Sequence, residues 1–250
     1  MIEATQYLIG VLGAIAAAPQ VWSFVFLALL IVFAYFTFKV AQEVRNGTRR
    51  MLESMAGAID SRDPYTGRHS YRLVELTKIT MRELGIVGSE VDLICAAARL
   101  HDIGKISIPD GVLQKPAPLE PFEWNVMQSH PARGADLLAR YPDFARGADL
   151  IRCHHERWDG TGYPHRLKEL AIPLGARVIA VADAFDAMTS DRPYRRAMSA
   201  ERAAWELRAG RGKQWDPAIV DAFLRVIAKQ LDRPEIAEER SVGALVPATD

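Results

Sequence analysis

The stretch Leu100-His101-Asp102-Ile103-Gly104-Lys105 sets a histidine beside an aspartate at the end of an apolar run, with a lysine three residues after the aspartate. An imidazole nitrogen and a carboxylate oxygen from neighbouring residues can ligate one metal ion, and the carboxylate can bridge to a second. The lysine brings positive charge within reach of an anionic substrate. A single His-Asp pair occurs by chance in many chains, so its meaning depends on its company. His69, His130, His154, His155 and Asp183 supply that company, on helices or helix ends whose periodicity predicts inward-facing positions. Five of the six histidines fall in this set, and His165 is left out. A lone histidine on an apolar face is more often a satisfied core residue. Five of them with two aspartates in apolar surroundings are costly to bury unless something pairs them, and two divalent metal ions do so. Facing helices of a bundle are a common place for such a centre.

The elements that must position these residues read as helices throughout. Residues 40–60 predict a connecting helix with Val44, Met51, Leu52, Met55 and Ile59 apolar. Asp63-Pro64 signals a start, and the helix it opens stops at Gly85, with His69, Leu73, Leu76 and Thr80 on one face. Ser89 begins the next helix, Asp92 resembling a capping box, and His101 and Asp102 lie in its last turn before Gly104. Residues 106–120 predict a Pro-rich loop. Pro121 opens a helix to Ser129 behind a poor cap, Glu120. His130-Pro131 predicts a break, followed by a helix over 132–140. A helix over 143–158 is expected to carry His154 and His155, and residues 159–164 a turn. A helix over 173–190 holds Asp183 and Asp186 one turn apart. Helices over 199–209 and 217–231 close the fold, the last capped by Asp216. Sustained strand alternation appears nowhere, so the predicted class is all-α.

Bulk composition narrows the rest. The 250 residues balance 31 basic against 31 acidic side chains, which argues against a nucleic-acid polymer as partner. The two cysteines, Cys95 and Cys153, have no motif spacing and suit a reducing compartment; Cys153 reads as a small buried apolar residue. Residues 21–38 form an apolar run close to the ~20 residues of a membrane-spanning helix. Trp22 and Tyr35 lie near its ends, and Lys39, Arg45, Arg49 and Arg50 follow it. The positive-inside rule then places the chain after residue 39 in the cytoplasm, as a single-pass protein of the inner membrane. Residues 7–18 are apolar but short for a span. No sensor module is expected ahead of the segment. The expected organisation is a membrane segment over 1–38, a connecting helix over 39–60, a catalytic domain over 61–234 and a polar tail over 235–250. A homodimer through the membrane helix is compatible with the sequence, although no clean heptad runs through it.

Read together, the motifs Asp63-Pro64-Tyr65-Thr66-Gly67-x-His69, His101-Asp102-Ile103-Gly104-Lys105, His130-Pro131, His154-His155-Glu156, Asp159-Gly160, Gly162-Tyr163-Pro164, Ala182-Asp183-x-x-Asp186-Ala187-Met188-Thr189 and Arg192-Pro193-Tyr194-Arg195 resemble the HD-GYP family of metal-dependent phosphohydrolases over about residues 50–230. The resemblance implies an HD-type helical bundle that cleaves cyclic di-GMP. It implies that His69, His101, Asp102 and Asp183 hold one metal and that Asp102 bridges to a second held by His130, His154 and His155. Some family members bind a third metal through a glutamate four residues before the first histidine; Tyr65 stands there, so two metals are expected. The imidazole and carboxylate donors suit Fe, Mn, Co or Zn, and the resemblance favours iron or manganese.

The expected chemistry is in-line attack on phosphorus by a hydroxide bridging the two metals, with the ribose 3′ oxygen leaving. The linear product is pGpG, with GMP after a second cut. Asp102 and Lys105 carry the catalytic roles, Lys105 by contacting a non-bridging phosphate oxygen. Arg192 and Arg195 match positions that bind the second phosphate or guanine edges. Tyr163 is placed to line the substrate groove, and its loop is where family members are thought to meet diguanylate cyclases. Glu156 and Asp186 are expected to orient imidazoles. Two alternatives stand beside this: hydrolysis of another cyclic or linear nucleotide, and a non-catalytic module that binds cyclic di-GMP or a partner. Loss of a ligand would favour the second, and none is missing.

Overall fold

A computed structural model of the chain describes residues 7, 10–14, 20–62, 69–191 and 196–231. The Asp63 to Arg68 motif with Tyr65, the Arg192 to Arg195 motif and the polar tail therefore lie outside the described residues. By contacts the chain divides into two units, 1–51 and 52–250. In the first, helix α1 (Gln20–Arg62) begins, and it runs unbroken through the expected connecting helix. It carries an 18-residue stretch apolar enough to cross a membrane, none of it buried. Trp22, Phe24, Ile31, Phe33 and Tyr35 all expose their side chains. Val44 and Met51, predicted as apolar contacts, are exposed as well.

The second unit is a helical bundle, and among the described residues an isolated bridge between Arg211 and Trp215 is its only β pairing. The last turns of α1 join it through Leu52, Ala56 and Ile59. There follow α2 (His69–Glu83), α3 (Ser89–Leu100), a 3-10 turn (Ile103–Ser107), α4 (Asp110–Leu113), α5 (Pro121–Met127), α6 (His130–Leu138), α7 (Pro142–Arg152), α8 (Leu174–Thr189), α9 (Ala200–Gly210) and α10 (Pro217–Leu231). Helix α8 is the hub and packs on α2, α3, α7, α9 and α10. Its Val178, Ile179, Val181, Ala182 and Phe185 sit in one core with Leu73, Met81, Ile94 and Phe223. A helix apolar on most of its sides belongs in the middle of a bundle. That burial is what removes Asp186 from water and turns Asp183 inward.

Local signals set most boundaries. Gly85, at φ 72°, ends α2, with its N–H donating to Arg82 O and the Ile86 N–H to Met81 O, the paired bonds of a Schellman cap. Ser199 accepts from Arg202 N to start α9, and Asp216 accepts from Ala218 N to start α10.

Several expectations need correction. Helix α7 stops at Arg152 rather than running to 158. Adjacent residues on a helix point about 100° apart; leaving the helix at Cys153 lets His154 and His155 bring their ring centroids to 4.0 Å. His130-Pro131 opens α6 instead of breaking it, because proline is at home in a first turn. Gly88, not Ser89, is the N-cap of α3, and no side chain caps it. Glu120 is an effective cap after all: its side chain accepts the N3 N–H, while Glu123 accepts the Glu120 N–H at 2.7 Å. The 106–120 loop contains the end of the 3-10 turn and α4. Cys153 is buried, and burial pushes its thiol pKa up to about 11.

Candidate metal centre

Four imidazoles share one construction: Nδ1 is tied outward and Nε2 is left facing inward. His101 Nδ1 meets Ala98 O at 2.9 Å, His130 Nδ1 meets Met127 O at 2.8 Å, and His154 Nδ1 meets Ile151 O at 2.6 Å. A carbonyl only accepts, so each Nδ1 carries a proton and each Nε2 is the nitrogen turned inward. Each of these carbonyls belongs to the last turn of a helix, α3, α5 and α7 respectively, where the helix leaves acceptors unused. His69, the first residue of α2, uses a carboxylate instead: its Nδ1 lies 2.7 Å from Asp186 Oδ2. Asp186 is itself held by Arg72, whose Nε and Nη2 donate at 2.6 and 2.9 Å. Arg72 was not singled out from the sequence; its place one turn after His69 on the same helix was the available signal.

The inward nitrogens and carboxylates converge. Three triads have ligand atoms all within 4.8 Å of one another: His69, His101 and Asp183; His101, Asp102 and His154; His130, His154 and His155. Asp102 lies between the outer two. Its Oδ2 is 3.3 Å from His101 Nε2, and its Oδ1 is 3.2 Å from His130 Nε2. His69 Nε2 is 3.2 Å from Asp183 Oδ1 and 3.5 Å from His101 Nε2. Lys105 Nζ lies 2.7 Å from Asp102 Oδ2. All seven sequence-predicted ligands are thus brought to one place.

Two glycines let the backbones come close enough. A Cβ on Gly104 would collide with the His130 carbonyl and the Gly134 nitrogen, so the His101-Asp102 turn lies directly on the start of α6. A Cβ on Gly162 would collide with the backbone at 155–157, which holds the Gly162-Tyr163-Pro164 loop against His155. The Tyr163 ring is 4.9 Å from the His155 ring, and the Tyr163–Pro164 peptide is cis. Glu156, expected to orient an imidazole, does something else. Its two carboxylate oxygens accept the backbone N–H groups of His165 and Leu167 at 2.7 and 3.0 Å, so it anchors the loop.

The charge balance of the centre is uneven. Burial lowers the His154 pKa well below its ordinary value and brings His155 to about 3. Burial also acts to lower His69, but Asp183 and Asp186 outweigh it and carry the pKa up to about 10. Burial would raise Asp102 and Asp183, and the neighbouring histidines, with Lys105 beside Asp102, hold both carboxyls well below the usual range instead. His154 Nε2 is buried without a hydrogen-bond partner, and His130 Nε2 is buried with only the poorly aligned Asp102 carboxylate before it. Such lone pairs are costly unless a cation meets them. Imidazole nitrogens oriented by fixed hydrogen bonds, together with the Asp102 and Asp183 carboxylates, are a donor set that suits transition-metal ions.

Comparison with known proteins identifies the domain that carries this centre. The family model for the HD domain matches residues 53–219. The chain is 45% identical over 185 residues to the cyclic di-GMP phosphodiesterase response regulator RpfG of Xanthomonas campestris, covering 73% of this chain and 49% of that protein. It is 35% identical over 184 residues to the 3′3′-cGAMP-specific phosphodiesterase 2 of Vibrio cholerae, covering 73% and 35%. The chain thus spans about half or less of the length of these curated relatives. The fold is similar to that of the cyclic GMP-AMP specific phosphodiesterase V-cGAP3 of V. cholerae, with a TM-score of 0.57 and 21% identity over 81% of this chain and 56% of that one.

Proposed function

The chain belongs to the HD domain family, and on that premise we propose that it hydrolyses a phosphodiester bond of cyclic di-GMP at the His/Asp centre. The observation that carries the reading is the set of three overlapping triads around Asp102, with Lys105 beside it. The motifs and the relatives' names are consistent with the HD-GYP group and support the substrate. One divalent ion belongs with His69, His101 and Asp183, a second with His130, His154 and His155, and Asp102 faces both. Iron and manganese suit the donors, with zinc and cobalt as the further options. When bound, such ions supply Lewis acidity toward phosphoryl oxygens and activate water.

The chain's own residues do the rest. The carbonyls of Ala98, Met127 and Ile151 and the carboxylate of Asp186 fix the imidazoles. Lys105 stands ready to meet a non-bridging phosphate oxygen, and Tyr163 flanks the substrate beside His155. Arg192 and Arg195 contact the second phosphate or a guanine edge, a role carried only by their motif. The ribose 3′ oxygen leaves, giving pGpG and then GMP. The apolar helix α1 crosses the inner membrane once and keeps the bundle in the cytoplasm, since basic residues follow the span. A homodimer through α1 and a diguanylate cyclase at the Tyr163 loop are the proposed protein partners.

A second reading, 3′3′-cGAMP as the substrate, is favoured by the Vibrio relative named for it. Chromatography of products after incubating the metal-loaded full chain with each cyclic dinucleotide tests both. pGpG formed fastest from cyclic di-GMP supports the first reading. Preferential cleavage of cGAMP supports the second, and no cleavage by a fully metallated chain contradicts hydrolysis altogether.

A further inference from the structure

Beside the centre lies a polar cleft of about 570 Å³, formed by the end of α5 and the Gly160 to Arg166 loop. Its volume is in the ~300–1,000 Å³ range of small-molecule sites. It adjoins the centre: it is lined by Ser129, next to His130, and by Tyr163, whose ring packs on His155. Three further side chains enter it. Asn125 and Gln128 lie one turn apart at the end of α5, and Arg166 lines the cleft from the loop. Among the described residues none of the three side chains has a hydrogen bond or ion pair. Arg166 is held in a left-handed conformation at φ 55°, which a non-glycine residue adopts at a cost. Glu156 enforces it by gripping the backbone on both sides, at His165 and Leu167. A buried carboxylate thus fixes the backbone of an exposed cation at the edge of the cleft.

We propose that this cleft receives the half of the cyclic dinucleotide distal to the cleaved bond, with Asn125 and Gln128 reading the purine edge and Arg166 contacting the phosphate. The inference rests on the function proposed above. An amide offers a donor and an acceptor side by side, which matches the mixed edge of a purine. Arginine supplies two parallel donors to a phosphate. The cleft thereby sets selectivity for the base, while the metal centre sets the reaction.

The test uses the metal-loaded full chain and two substrates, cyclic di-GMP and bis(p-nitrophenyl) phosphate, a phosphodiester without a purine. In the Asn125→Ala/Gln128→Ala variant, kcat/KM for cyclic di-GMP falls about tenfold more than that for the purine-free substrate, chiefly through KM. The ratio of cyclic di-GMP to cGAMP cleavage also shifts. Arg166→Ala weakens binding of pGpG, read as its inhibition of the initial rate of bis(p-nitrophenyl) phosphate cleavage, and Arg166→Lys restores part of it. Equal losses on both substrates, or unchanged pGpG binding, overturn the cleft assignment while leaving the hydrolase intact. A wild-type chain that cleaves bis(p-nitrophenyl) phosphate but no cyclic dinucleotide overturns the function proposed above and this inference with it.

Discussion

The two outer triads of the centre prepare for a cation in opposite ways. His130, His154 and His155 form an all-imidazole side in which burial keeps His154 and His155 neutral, and His154 Nε2 faces no hydrogen-bond partner. His69, His101 and Asp183 form a mixed side in which carboxylates hold a proton on His69, with a pKa of about 10. On the first side a cation's place is marked by the unmet His154 nitrogen, on the second by a proton standing in for it. A site of either kind costs folding energy without its ion. Asp102 is the group common to both sides, with one oxygen turned toward His101 and the other toward His130.

The largest effect is expected where the two sides meet. Asp102→Ala removes the shared carboxylate and is expected to abolish hydrolysis of cyclic di-GMP, followed by product chromatography; undiminished turnover would sink the account. Next, Asp183→Ala and His155→Ala separate the sides. Each is expected to leave a chain that keeps one ion of the pair, counted by elemental analysis, and to lose activity. Loss of both ions from either variant would mean that the sides do not bind independently.

Those two variants also expose a difference in pH dependence. A ligating imidazole must be neutral, so below pH of about 10 the ion entering the mixed side displaces a proton from His69. Its affinity in His155→Ala therefore rises with pH, by about tenfold per unit for each proton displaced, with His101, also raised by Asp102, adding to His69. The all-imidazole side, tested in Asp183→Ala, has the His154 and His155 nitrogens already free near neutrality because burial depresses both. Its affinity is expected to be flat between neutral and mildly alkaline pH. Equal slopes in the two titrations would erase the contrast.

Smaller effects follow from the supports. Asp186→Asn loosens His69 alone, and is expected to weaken the mixed side by roughly 10–100-fold while sparing the other. Competition with a metal indicator would read this. Gly134→Ala presses a Cβ to 3.0 Å from Gly104 N. It is expected to cost about 1–3 kcal/mol in thermal unfolding, as overpacking does, with both ions retained.

The helices and the ligand set could be read from residue types, because capping, apolar periodicity and inward histidines are local patterns. Gly85, Ser199 and Asp216 act as their chemistry predicts. What escaped the sequence depends on contacts across the fold or on reciprocal pairs. Glu120 is a weak cap alone and becomes a good one through Glu123. The end of α7 is set by the need to turn two adjacent imidazoles inward, and the apolar pattern around them continues past it. Glu156 sits beside the histidines in sequence, yet its carboxylate reaches a loop ten residues on. Arg72 finds Asp186 only because α2 and α8 pack together.

The most direct test of the central claim is the number of metal ions per chain in the wild type and in Asp102→Ala, both loaded anaerobically with Fe(II). A shared carboxylate predicts about two ions per wild-type chain and a collapse of that number when Asp102 is lost. One ion or none in the wild type, or an Asp102→Ala chain that keeps both, would contradict it.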